Sequence, residues 1–368
     1  MRPLTLEHLP NDTFQQMMDG YLTLALSKTS RTLRQIARAV RVDLTVQGRG
    51  PEMLMDDRRL LDKLNSFPEP WKVRVLSFRR CLTGATDAEE LGTYLRGNTT
   101  LRELDVSYNN LRDAGGLALL DALRKNTTLH SLDISANRLQ DPTASAVAEL
   151  LLLNTSLRSL KMENNSFTYR SIQHLASTLE QGAKTTLTSL SLKAMWITNE
   201  AAEELATFMR GNTTLRELNL AKTYLKNGGG AALLAALREN TTLKSLNLSN
   251  NCMTDLIAPV FGALVESNTT LRSLDISRNL FSEGIVQHIA SALGDGKNTT
   301  LSSLSIGGTD YGMNPRAVMA LADTLHHNTT LVKLDLRSTT TNLESSQARC
   351  QHACYRCQHV KNGTCIVM

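Results

Sequence analysis

The sequence predicts an α/β repeat fold. It should be a curved solenoid, or horseshoe, with parallel strands on the concave face, helices on the convex face and a small helical cap at the front. Three observations lead to this. Leucine occupies 62 of 368 positions while aromatic residues make up only 4%, the composition of a chain that stacks many similar units instead of filling one globular core. The pattern Leu-x-x-Leu-x-Leu-x-x-Asn-x-Leu runs through Leu101, Leu104, Val106, Asn109 and Leu111, and again through Leu129, Leu132, Ile134, Asn137 and Leu139. Within each copy the apolar spacing changes from two, which is strand-like, to three and four, which is helical.

Further copies begin at Leu157, Leu187, Leu215, Leu243, Leu271, Leu301 and Leu331, at spacings of 28 or 30 residues. Val73, Leu76 and Phe78 lie one period before the first full copy. Val42, Leu44 and Val46, followed by Met53 to Leu64, read as a worn first strand and helix, giving about eleven strands in all. Leu117, Leu120 and Leu123, or Leu233, Leu234 and Leu237, mark the helical half of a unit. No unit can bury its apolar face alone, so the units must stack. This divides the chain into a helical segment at 1–41, a solenoid of ten to eleven repeats at 42–341, and a C-terminal helix and tail at 342–368.

These copies resemble leucine-rich repeats of the ribonuclease-inhibitor type, in which each unit carries a full helix. The resemblance covers residues 42–341 and implies the horseshoe fold, with a ladder of asparagines bonding the loop backbone. Asn109, Asn137, Asn165, Asn251 and Asn279 match that ladder; Met195, Thr223, Thr309 and Thr339 break it. Eight Asn-Thr-Thr or Asn-Thr-Ser tripeptides, from Asn98 to Asn328, match the glycosylation acceptor pattern. They fall where a helix ends and a strand begins, so they are read as structural: asparagine in the left-handed conformation closes the helix and the threonines start extended backbone.

The concave face should carry the third, fifth and seventh residues of each repeat, for example Glu103, Asp105 and Ser107. These are small, polar and short of the Trp, Tyr and Arg that dominate binding hot spots. The tenth position is more informative. Four consecutive repeats place Trp196, Tyr224, Cys252 and Leu280 there, a column about 15 Å long at the usual strand spacing. It reads either as a partner-binding ridge or as loop packing against loop.

Toward the N-terminus, Leu9-Pro10, an apolar run through Phe14, Met17 and Tyr21-Leu22, and then Leu26-Ser27 to Leu33-Arg34 resemble an F-box. That resemblance implies docking to the adaptor subunit of a cullin ubiquitin ligase through Leu9, Pro10 and Met17, with the repeats holding the substrate. The alternative is an amphipathic helix that seals the first repeat. Lys28, Arg31, Arg34, Arg38 and Arg41 line one face of the second helix, either as a solvated face or as a stripe for anionic lipid or an acidic partner.

The chain ends Cys365-Ile366-Val367-Met368, the pattern of a prenylation signal, here favouring a farnesyl group on Cys365. A single lipid gives only reversible membrane binding, and Cys354 and Cys357 are candidate palmitoyl acceptors. Cys350, Cys354 and Cys357 equally suit one buried face of a closing helix. With His352 or His359 they also offer zinc ligands, although a second paired half-site is missing.

With 40 Lys plus Arg against 35 Asp plus Glu, interspersed, no nucleic-acid groove is announced. No apolar run reaches the length of a membrane span, and Met1 to Pro10 lacks a secretory pattern. Gly294-Asp295-Gly296-Lys297 fails as a phosphate loop because Asn298 follows. No nucleophile elbow or zinc-protease motif occurs, so neither catalysis nor a cofactor is expected. The sequence therefore reads as a monomeric, cytoplasmic interaction protein held peripherally at a membrane by its lipid: the substrate receptor of an F-box type ligase. The alternatives are a lipidated docking scaffold, or, less favoured, a GTPase activator of the Ran type, which shares this repeat. A bacterial source would make the chain an effector that borrows host machinery.

Overall fold

The computed structural model describes residues 43–47, 74–79, 82, 84–181, 185–294, 298, 300–307, 319, 321, 323, 328–336, 359–361 and 364–366. The chain forms two compact units, Met1–Ser166 with Lys184–Leu187, and Phe167–Ala183 with Thr188–Met368.

In the first unit, strands β1 (Asp43–Gln47), β2 (Val75–Arg79), β3 (Glu103–Asp105), β4 (Ser131–Asp133) and β5 (Ser159–Lys161) lie side by side in chain order. All pairs are parallel, and the register sets Leu76, Leu104, Leu132 and Leu160 opposite one another. Helices α1 (Ala85–Gly97), α2 (Arg112–Leu123) and α3 (Asp141–Leu153) alternate with the strands. The second unit repeats the scheme with α4 (Tyr169–Gln181), β6 (Ser189–Ser191), α5 (Asn199–Gly211), β7 (Glu217–Asn219), α6 (Lys226–Leu237), β8 (Ser245–Asn247), α7 (Ala258–Ser267), β9 (Ser273–Asp275), α8 (Glu283–Gly294), β10 (Ser303–Ser305) and β11 (Lys333–Asp335). The eleven parallel strands stand at the positions the leucine pattern predicts.

Each repeat buries the same set. Leu101, Leu104, Val106 and Leu111 are at most 2% exposed, as are Leu119, Leu120 and Leu123 of the following helix. Each such leucine contributes about 1.5–3 kcal/mol through the apolar surface it removes from water. Glycines let neighbouring helices close up: a Cβ on Gly229 of α6 would come within 2.9 Å of Ala202 Cβ in α5, and one on Gly116 of α2 within 2.8 Å of Leu139 Cδ2.

The tripeptide asparagines do not take the expected left-handed conformation. Asn98, Asn154, Asn212 and Asn268 are extended, with φ between −84° and −76°. The side chain ends the helix instead. Asn126 Oδ1 accepts from the N–H of Thr128 and Leu129 at 2.9 and 2.8 Å, while its Nδ2 donates to the carbonyls of Leu95 and Asn98 in the repeat before. Asn154, Asn240, Asn268 and Asn298 repeat this arrangement. These amides are buried, and a nitrogen committed to two carbonyls inside the fold offers no place for a sugar.

The second asparagine column lies past the strand ends. Asn137 Nδ2 donates to Val106 and Ile134 carbonyls at 2.9 and 3.1 Å, and Asn251 Nδ2 to those of Leu220 and Leu248 at 2.7 and 3.0 Å. Thr223, expected to break the column, continues it. Its hydroxyl lies 2.7 Å from the Leu220 carbonyl and 2.9 Å from Asn251 Oδ1. Met195 is buried and supplies no such bond.

At the end of the second unit, β12 (His359–Lys361) and β13 (Thr364–Ile366) form an antiparallel hairpin, and β13 pairs antiparallel with β11. The sequence pattern announces neither strand. Cys365 sits opposite Leu334 in the register.

Candidate functional site

Each strand is followed by a turn of fixed shape. The eighth repeat residue is left-handed: Tyr108, Ala136, Asn164, Ala194, Lys222, Asn250 and Arg278 all have φ between 50° and 60°. For a residue other than glycine this costs about 1 kcal/mol or more. The conformation aims the N–H at the next repeat, so that Ala194 N donates to the Ala221 carbonyl, Lys222 N to Ser249 and Asn250 N to Ser277, all at 2.9 Å. The ninth residue then turns inward and the tenth outward.

In the second unit this outward column carries Trp196 and Tyr224. They are 61% and 50% exposed, and their rings stack with centroids 5.0 Å apart and planes inclined by 22°. Cys252 and Leu280 follow, half-buried. The Leu280 N–H donates to the Met253 carbonyl, and a bridge pairs Leu280 with Thr254. That places Leu280 beside the 3-10 turn Asp255–Ile257, whose Leu256 is 81% exposed. A stacked pair of this kind is worth about 0.5–1.5 kcal/mol beyond its area, so the rings hold each other in place while their outer surfaces stay in water.

Burial alternates along the crest: Ala221, Thr223 and Leu225 are buried, and Lys222, Tyr224 and Lys226 exposed. Two cations therefore share the outward side with the Tyr224 ring. Lys193 and Arg278 stand in the turns on either side. Among the described residues, none of these four cations forms an ion pair.

The fifth repeat residue is spent locally. Asp105, Asp133, Asn219, Asn247 and Asp275 each accept from the N–H two residues on, at 2.9–3.1 Å. Ser107, Ser135 and Ala221, expected to face the concave space, are buried, whereas Lys193, Ser249 and Ser277 at the same position are half-exposed. Burial raises the Asp133 carboxyl above its ordinary value and Asp105 adds to that, against the Ser135 bonds and Lys161, 4.0 Å away. In the first unit, the Arg79 guanidinium lies 4.8 Å over the ring of Tyr108.

Residues 97–120, 125–148, 211–234, 239–258 and 267–281 match the family model described as Leucine Rich repeat. These five segments are leucine-rich repeats by that match. Solved structures similar to the chain include a leiomodin-1 fragment described as actin-binding site 2, at 22% identity over 41% of this chain and 87% of that one, TM-score 0.36. A tropomodulin C-terminal domain of Caenorhabditis elegans is 19% identical over 42% and 93%, TM-score 0.35. An internalin of Listeria monocytogenes is 18% identical over 81% and 72%, TM-score 0.45. No curated protein matches the chain.

The turns of the second unit thus bring Trp196 and Tyr224 into contact and set Cys252 and Leu280 in the next two. Leu9, Pro10, Met17, Cys354 and Cys357 lie outside the described residues, and Cys365 lies in β13. Among the described residues no cluster of His, Cys, Asp and Glu could hold a metal. Two features escaped the sequence reading. Leu256 stands at the fourteenth repeat position, where Glu200, Gly228 and Gly284 are polar or small, so reading down that column would have found it. At the thirteenth position Asp113, Asn199, Asn227 and Asp255 each bond the helix start of the next repeat; Asp255 accepts from Ser282, Gly284 and Ile285 N–H groups.

Proposed function

We propose that the chain is a protein-interaction module that engages a protein partner through the Trp196 to Leu280 ridge. In its fullest form it acts as a prenylated, membrane-tethered substrate receptor of an F-box type ubiquitin ligase. The observation that carries the binding role is the Trp196–Tyr224 stack, two large rings held rigid yet half in water. Aromatic residues of this kind anchor protein interfaces.

The ligase role is supported by the Leu9-Pro10 entry, Met17 and the Leu-Ser-x-x-Ser-Arg-x-Leu-Arg run, which together resemble the adaptor-binding segment of an F-box. Tethering is supported by the terminal Cys365-Ile366-Val367-Met368 signal, with Cys354 and Cys357 as the second lipid sites that a stable anchor needs. A second reading, a lipidated docking scaffold without a ligase partner, is favoured by the spacing between Tyr21 and Ser30. That interval is about four residues shorter than the F-box pattern implies and removes part of the connection between its helices.

The test is affinity purification from eukaryotic cells of the intact chain beside a Cys365→Ser variant, blotting for the ligase adaptor and measuring the membrane fraction. Recovery of adaptor, with membrane binding lost in the variant, is the expected result. A membrane pool that depends on Cys365 without adaptor would leave the scaffold. Neither would end both readings.

A further inference from the structure

We infer that the ridge takes an acidic peptide segment carrying a row of apolar side chains, a reading that rests on the ridge being the binding surface. Across the seventh to twelfth positions of the four ridge repeats, 193–198, 221–226, 249–254 and 277–282, stand the cations Lys193, Lys222, Lys226 and Arg278 and no anion. Lys222, Lys226 and Arg278 are exposed, Lys193 half so, and none is neutralised by an ion pair among the described residues. Two carboxylates next to these segments in sequence are engaged locally: Asp275 accepts from the Ser277 N–H and hydroxyl, and Asp255 holds the start of α8. Glu200 and Glu283 lie beyond the crest, in the first turns of α5 and α8.

An apolar crest flanked by unpaired cations complements a partner of opposite charge, which gains on-rate and orientation from the rim and affinity from the crest. The crest itself favours peptide over nucleic acid. Bases need separate aromatic faces to stack on, whereas Trp196 and Tyr224 cover one face of each other at 5.0 Å, and Cys252 and Leu280 offer no ring. Three strand steps give a crest about 15 Å long, enough for about four residues of extended chain or two to three turns of helix.

The experiment is selection from a random 16-residue peptide phage library on the purified full chain, with Trp196→Ala/Tyr224→Ala and Lys222→Glu/Lys226→Glu versions as counter-targets. All four side chains are exposed, and thermal melts confirm that each variant is folded. Enriched peptides are expected to be net negative with spaced Leu, Phe or Trp. They should lose at least about tenfold in affinity on either variant and weaken as salt is raised from about 0.05 to about 0.5 M. Peptides that need the aromatic pair yet show no acidic bias would overturn this inference and leave the ridge as a binding site. Peptides indifferent to both variants would overturn the ridge as well. A 15-residue oligouridylate that binds the ridge more tightly than any selected peptide would reassign it to nucleic acid.

Discussion

At the residue scale, the amide side chain carries most of the structural work. Asn126, Asn240 and their counterparts each use both ends of one side chain, closing a helix and stitching it to the repeat before. The spacing of these asparagines was legible in the sequence, but their conformation was not. A left-handed and an extended backbone serve the same position, and the choice depends on whether carbonyls of a neighbouring repeat are within reach. Tyr94 shows the same dependence. Its hydroxyl receives the Asn98 amide at 3.0 Å, and burial pushes its pKa from 10.0 up to about 12. The folded chain therefore keeps this proton after the unfolded chain has released it. Stability is full below the ordinary tyrosine value and falls as pH rises from 10 toward 12, by about 2–3 kcal/mol for this one group. Urea melts at about pH 9 and about pH 11.5 should show that loss, and Tyr94→Phe should reduce the slope between them; an unchanged slope would mean that the proton is not held this way.

At the element scale, strands were readable because the register is enforced by leucines at one fixed interval, and helices because their apolar residues recur every three or four. The Gly228-Gly229-Gly230 run lies in the first turns of α6. Its role is spatial, since Ala202 Cβ occupies the volume a Gly229 side chain would need. Replacing Gly229 by alanine should cost about 1–3 kcal/mol through the forced separation of α5 and α6, even though alanine is the better helix former by about 1 kcal/mol. Gly211→Ala, with nothing within 4 Å of the added carbon, should instead be neutral or stabilising by up to about 1 kcal/mol. Thermal or urea midpoints of the two variants, moving in opposite directions, would establish that Gly229 is a packing residue. The thirteenth-position bonds were invisible for a different reason: the Asp and Asn residues that make them share the position with Tyr and Glu in other repeats, and their partners lie in the following repeat.

At the scale of the whole molecule, both amide columns lapse in one place. Lys184 stands where the other helix-to-strand connections carry asparagine, and Met195 where the following turn would carry one. The chain divides into its two compact units nearby, between Ser166 and Phe167 and on either side of Lys184–Leu187. Where stability is a sum of repeat and nearest-neighbour terms, the repeat lacking both amides lacks the bonds that they make in the other repeats. Urea unfolding should therefore proceed in two steps, with amides of 85–166 and 199–294 exchanging as separate groups. A single transition with uniform exchange would show that leucine packing alone couples the repeats. Reassigning the column, by Lys184→Asn with Met195→Asn, should draw the two steps together.

The hairpin of β12 and β13 has a consequence for maturation. A stack of parallel strands has a growing end, and β11 would offer its free backbone groups to any chain able to add another strand. The antiparallel hairpin occupies that edge, with β13 against β11 and β12 outermost. If Cys365 receives a prenyl group, the last three residues are removed, and Ile366, which stands opposite Lys333 in β13, goes with them. Lipid attachment to Cys365 and hydrolysis of the bond after it would then be successive steps, and the second would remove one of the three residues of β13 that pair with β11.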